Sequence, residues 1–204
     1  MMDSAARPPK TAAARPSLIT ESRNMFKELD TTKAYRLLNH GPVVLITTSD
    51  AEGRPNIMTL SWKTTVNSEP SFVAVCVGSQ AYSQRTILDT KEFAINVPDI
   101  SLLKKVVYCG GRSGKNENKF ETAGLTQMKS KKIAAPKIAE CFANIECRVA
   151  RHEPCGDVVM FSAEVLYCEV REDTFDDYLK TGIAKTIHHL GGSWFVSPGE
   201  RFKA

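Results

Sequence analysis

Residues 79–86 gather the groups that hold an anion. Gly78-Ser79-Gln80-Ala81-Tyr82 breaks an apolar run, and Ser83-Gln84-Arg85-Thr86-Ile87-Leu88-Asp89 predicts a helix whose first turn carries a hydroxyl and a guanidinium. A phosphate needs backbone N–H groups, hydroxyl donors and a cation at the positive end of a helix, and the stretch with Ser79, Tyr82, Ser83 and Arg85 offers them. A flat amphipathic ring beside that seat needs an apolar face, an aromatic neighbour and backbone edges for its own N–H and C=O groups. The stretch Asn56-Ile57-Met58-Thr59-Leu60-Ser61-Trp62 meets this need as a strand, with Asn56, Met58, Leu60 and Trp62 on one face and Ile57, Thr59 and Ser61 on the other.

Each feature also has a plainer reading. Ser83 fits a helix cap, which is compatible with anion binding because the cap is where an anion sits. Arg85 fits a solvent-facing charge, Trp62 a core tryptophan with its N–H satisfied, and the 56–62 stretch an ordinary half-buried strand.

Other chemistries lack support. The segment Gly111-Arg112-Ser113-Gly114-Lys115-Asn116 departs from a phosphate-binding P-loop, which needs glycine where Cys109 stands and Ser or Thr where Asn116 stands. There is no G-x-G-x-x-G after a strand and no G-x-S-x-G elbow. Cys147, His152, Cys155, His188 and His189 match no metal-ligand spacing, so no metal is expected.

The elements that position these residues are mostly strands. Residues 42–48 form an apolar, β-branched run, and Asp50-Ala51-Glu52-Gly53 carries hairpin-turn chemistry before the 56–62 strand. Residues 71–77 read as a strand buried on both faces. Asp99 predicts a helix cap, with the helix running to Cys109-Gly110-Gly111. Residues 142–149 and 158–170 predict a long hairpin across the turn-rich link 151–157, and Phe175, Tyr178 and Leu179 recur at helical spacing. A short helix is expected over 33–38, with His40 in the loop after it. At least six strands with a few short helices suit a mainly β, six-stranded antiparallel Greek-key barrel.

With 204 residues, 42% hydrophobic and 25% charged, one globular domain over residues 31–204 is expected. The first seventeen residues, rich in Ala, Pro, Arg and Ser, predict a disordered tail within an N-terminal extension over 1–30. No apolar run reaches membrane-spanning length, and no signal segment stands at the start, so a cytoplasmic protein without a membrane partner is expected. Six scattered cysteines without a C-x-x-C pair argue against structural disulfides, and Cys76 and Cys168 read as small core residues. Eight basic residues between Lys104 and Lys132 face only Glu117 and Glu121, with Tyr108 and Phe120 as the only aromatics there. That favours an anionic cofactor or substrate over nucleic acid, with a solvated basic loop as the plain alternative.

Taken together, these pieces resemble the flavin reductase-like proteins of the FMN-binding split-barrel group, and within it the flavoredoxin branch. The resemblance rests on residues 42–47, Gly53-Arg54-Pro55-Asn56-Ile57-Met58-Thr59-Leu60-Ser61-Trp62, Tyr82-Ser83 with its helix, and Phe93-Ala94-Ile95-Asn96-Val97-Pro98. Asn118-Lys119-Phe120-Glu121-Thr122-Ala123-Gly124 and residues 156–165 extend it. It implies a split β-barrel, FMN as cofactor, NADH or NADPH as donor, and a homodimer whose His188 to Phe195 segment completes the partner's pocket.

The resemblance also implies roles. Asn56, Ile57, Met58, Thr59, Ser61 and Trp62 line the flavin ring. Ser79, Tyr82, Ser83 and Arg85 hold the phosphate. Asn96 and Lys119 lie close to the cofactor. No catalytic side chain is named, because hydride transfer to the flavin demands no protein acid or base. One departure stands out: many flavin reductases carry Gly-Asp-His before the last long strand, and this chain has Gly156-Asp157-Val158. That fits tightly held FMN better than a reductase that releases reduced flavin. A non-enzymatic FMN electron carrier, a ferric or flavin reductase, and a barrel that only mediates interaction are the alternatives.

Overall fold

A computed structural model describes residues 30, 37, 41–200 and 202. The expected extension over 1–30, the helix over 33–38 and His40 lie outside these, Asp30 and Leu37 apart. The described residues from Leu37 onward belong to one compact unit.

The first apolar run becomes β1, Val44–Ser49, buried at every residue because it is covered on both faces. Asp50 then turns the chain, its carboxylate accepting from the amides of Glu52 at 3.1 Å and Arg54 at 2.8 Å, while Gly53 takes a φ of 79°. Strand β2, Pro55–Leu60, returns antiparallel to β1. A second hairpin follows in β3, Lys63–Ser68, and β4, Ser71–Gly78. Helix α1, Tyr82–Thr90, leads to β5, Glu92–Val97. A 3₁₀ turn at Ile100–Leu102, capped by Asp99, runs into α2, Leu103–Gly110, and the one-turn α3 spans Lys119–Thr122. Short strands β6, Gln127–Met128, and β7, Lys137–Ile138, pair with each other. The long hairpin is β8, Ala143–Cys155, with β9, Val158–Val170, and a last hairpin joins β10, His188–Gly191, to β11, Trp194–Val196.

Seven strands form one antiparallel sheet in the order β2-β1-β5-β8-β9-β4-β3. Strands β2 and β3 occupy its two edges, yet only Ser61 and Trp62 separate them in the chain. Three Cα steps reach about 11 Å, whereas a flat sheet of this width spans roughly 28 Å between its edges. The sheet therefore rolls until its edges meet, which is the expected mainly β split barrel. It carries one strand beyond the expected six. Strand β3 reads Lys-Thr-Thr-Val-Asn-Ser and is largely exposed, so no apolar alternation marks it in the sequence.

Two apolar layers hold the barrel. Inside, Val44, Ile46, Leu60, Val75, Phe93 and Phe161 pack together. Outside β1 and β2, Val43, Leu45 and Ile57 meet Val106 and Cys109 of α2, Phe120 of α3 and Ile138 of β7. Each large side chain so buried contributes about 1.5–3 kcal/mol. The 127–138 excursion is pinned by buried Lys137, 2.6 Å from Glu169 and 3.4 Å from Glu146. Glu146 also accepts from the amides of Lys131 and Lys132. Part of the basic segment is thus spent inside the fold.

Some expectations change. All six cysteines are free, but Cys168 is exposed and Cys76 only half-buried, because Val75 and Val77 take the inward positions of β4. Strand β8 continues through the link expected over 151–157 and turns only at Gly156, whose φ is 63°. Phe175 and Leu179 meet in an isolated bridge instead of a helix. No helix among the described residues is long and apolar enough to cross a membrane.

Candidate functional site

The candidate site follows the outer side of β2. As an edge strand β2 bonds only β1, so alternate backbone N–H and C=O groups face away from the sheet, as a ring with its own donors and acceptors requires. Helix α2 lies against this strand: Thr59 Oγ1 donates to the Val106 carbonyl at 2.6 Å, and a Cβ at Gly110 would meet Thr59 Cβ at 3.2 Å. Ile57 is buried beneath the helix and Met58 turns to the barrel interior, so both face the site by backbone alone. Ser61 is half-buried and Trp62 is 43% exposed at the β2–β3 connection, which removes the core-tryptophan reading.

At one end of this strip Asn56, 2% exposed, donates through Nδ2 to Ser83 Oγ at 2.7 Å and ties β2 to the first turn of α1. The bond uses an acceptor site on Ser83 and leaves its hydroxyl hydrogen for another acceptor. Ser83 is not the helix cap; Ala81 holds that position and makes no side-chain cap bond. The Gln84 amide donates to the Ala81 carbonyl at 3.0 Å, which leaves the Tyr82 and Ser83 amides as the first-turn donors with neither an intrahelical carbonyl nor a capping side chain. Asn56 Oδ1 is buried without a partner, and Gly114 comes so close that a Cβ there would lie 1.9 Å from it.

Next to this pair a cavity of about 600 Å³ is lined by Arg54, Tyr82 and residues 114–118. Tyr82 Oη donates to Asp50 Oδ2 at 3.2 Å, and Arg54 Nε reaches the same oxygen at 2.7 Å. Desolvation alone would raise the Asp50 pKa, but the amide and guanidinium of Arg54 outweigh it and hold it low. Desolvation and then Asp50 push the Tyr82 hydroxyl upward.

Lys119 lies at the other end of the 111–118 loop. It is 3% exposed, and its Nζ donates to the carbonyls of Cys109 at 3.0 Å and Arg112 at 2.9 Å. It forms no ion pair among the described residues. Burial lowers its pKa, so an anion close by would be strongly favourable. Glu117 accepts from Tyr108 Oη at 2.7 Å, and that bond lowers its pKa.

Three expected residues stand apart. The Ser79 amide donates to the Asp157 carbonyl at 2.9 Å. Arg85 falls on the helix face opposite buried Ser83, Thr86 and Ile87, and extends into solvent 3.9 Å from Asp89. Asn96 is fully buried: Nδ2 donates to Leu45 O at 2.9 Å and Thr47 Oγ1 at 3.1 Å, and Oδ1 accepts from the Ile138 amide at 2.8 Å. It brackets β1, β5 and β7 and has no group to spare for a ligand. Conversely, Arg54, Gly114 and Lys115 belong to the site and were not singled out from the sequence as binding residues. Gly114 and Lys115 showed only loop composition, and Arg54 only its place in the resembling stretch Gly53-Arg54-Pro55-Asn56.

Residues 36–186 match the family model described as "Flavin reductase like domain". Protein YddH of Escherichia coli is 34% identical over 190 residues, 88% of this chain and 98% of that protein. The structure of flavoredoxin from Desulfovibrio vulgaris is 26% identical with a TM-score of 0.75, covering 81% of this chain and 90% of that one. The FMN-binding domain of a flavin reductases-like enzyme from Shewanella baltica is also 26% identical, with a TM-score of 0.72, covering 86% of this chain and 95% of that one.

Proposed function

This chain belongs to the flavin reductase-like family, and from that premise we propose that it binds FMN along the outer side of β2 and works as an oxidoreductase fed by NADH or NADPH. The observation that carries this reading is Lys119, a buried ammonium with no ion pair among the described residues, beside an orphaned Asn56 Oδ1 and the uncapped start of α1. An anionic ligand with its own donors suits that set.

In this reading the Ser83 hydroxyl and the first-turn amides of α1 hold the phosphate, and Asn56 positions Ser83. The free edge of β2 takes the polar rim of the ring, Trp62 lies against its apolar body, and Lys119 supplies positive charge. When bound, FMN would supply the redox chemistry, as a hydride acceptor and electron donor. No side chain of this chain is needed as acid or base. The β10–β11 hairpin exposes Trp194, Leu190 and Val196, an apolar face that supports a homodimer. Six free thiols support a reducing compartment, the cytoplasm.

The test is the visible spectrum of the purified protein, taken anaerobically before and after NADH and then NADPH. A flavin spectrum that bleaches promptly is expected, and Lys119→Met is expected to weaken FMN binding at least about tenfold, as for a lost charged hydrogen bond. A colourless protein that FMN cannot reconstitute would sink the reading. The second reading, an electron carrier reduced by a protein partner, is favoured by Val158 where many flavin reductases carry histidine. It predicts bleaching by dithionite alone.

A further inference from the structure

Lys63 opens β3 directly opposite Val75 across the β3–β4 ladder. Residues so paired share a face of the sheet, and Val75 is fully buried in the barrel interior. Lys63 therefore points inward from a strand that is otherwise exposed. A cavity of about 350 Å³ lies beside it at the barrel mouth, walled mainly by Val44, Val73, Ile95, Val97 and Ile145, with Thr64 and Thr65 also lining it. No other titratable side chain lines this space among the described residues. Lys63 forms no ion pair among them either, and its Nζ donates to the carbonyl of Pro42. An ammonium against aliphatic walls without a counter-charge is disfavoured, and burial pushes its pKa down to about 8.

An inward charge can also guard an edge strand against pairing with another chain. A guard needs only the charge. Here the charge stands at the rim of an apolar cavity of ligand size, and small barrels hold single small ligands in such mouths.

We propose that the barrel mouth binds a small organic carboxylate with an apolar body, the carboxylate on Lys63 Nζ and the body among the five aliphatic side chains. Charge complementarity selects the anion, and the walls select an apolar body over a polar one such as citrate. The cavity shares no lining residue with the FMN reading and does not depend on it.

Calorimetric titration of the full chain with octanoate tests this, with octan-1-ol as the neutral probe. One octanoate per chain is expected at pH 7. Lys63→Met should weaken it at least about tenfold, as expected when a charge-assisted hydrogen bond is lost. Lys63→Arg should restore it, and octan-1-ol should not distinguish the variants. Between pH 7 and 9 the wild type should lose octanoate affinity as Lys63 discharges, while Lys63→Arg stays constant. Thermal melting of each variant reports folding, and FMN titrated into the same preparations reads the flavin site separately. No octanoate binding at millimolar concentration, or equal binding to wild type and Lys63→Met, overturns the proposal. If Lys63→Met does not fold, a wild-type affinity that ignores pH overturns it as well.

Discussion

Gly114→Ala should separate the geometry of the proposed FMN site from its chemistry. The new methyl group would lie 1.9 Å from Asn56 Oδ1, 2.5 Å from its Cγ and 3.3 Å from its Cβ, so something must move. Asn56 cannot move at little cost: it is 2% exposed and held to Ser83 by a 2.7 Å bond. Breaking that bond costs about 1 kcal/mol, and forcing extra volume into a packed site costs about 1–3 kcal/mol. At 1.4 kcal/mol per decade, FMN affinity should fall by about five- to 150-fold. The readout is the dissociation constant for FMN from flavin fluorescence quenching, beside the melting temperature without FMN. A double-mutant cycle isolates the cause. With Asn56→Ala in place, only the 3.3 Å contact with Cβ remains, and adding Gly114→Ala should cost less than about 0.5 kcal/mol. If Gly114→Ala binds FMN like the wild type, or if the two substitutions simply add, the placement of this loop over Asn56 and Ser83 is wrong.

Arg85→Ala should change FMN affinity less than twofold, because the side chain extends into solvent away from Ser83; the same fluorescence titration decides it. Asn96→Ala should lower stability by about 2–4 kcal/mol, since it leaves the Ile138 amide and the Leu45 carbonyl without their side-chain partner in the core, while FMN affinity of the folded fraction is retained. Urea unfolding with FMN titration separates the two effects. Burial depresses the Lys63 pKa in the folded chain to about 8, below the ordinary lysine value of 10.5, so between these values the unfolded chain binds more protons and stability rises with pH. Wild type should therefore gain on Lys63→Met between pH 7.5 and 10; urea midpoints that shift in parallel would count against a desolvated Lys63.

The sequence by itself determined most strands, helix α1 and the family. Runs such as Val44-Leu45-Ile46 and Phe93-Ala94-Ile95 declare their burial locally, and Asp50 with Gly53 declares the turn, since both signals depend on residues close in the chain. It also brought out Asn56, Ser83 and Lys119, which the fold sets along one strip of β2, α1 and the 111–118 loop. Only the tertiary structure decided the rest. Asn96 lies in a resembling motif, but three strands claim every polar group it has. Arg85 stands two residues from Ser83, yet two helical steps of about 100° each carry its side chain to the opposite face. Strand β3 has no pattern of its own and exists because the barrel needs an edge to meet β2. Gly114 and Lys63 gain their meaning from partners 58 and 12 positions away, Asn56 and Val75, and contacts of that kind arise only when the sheet has rolled.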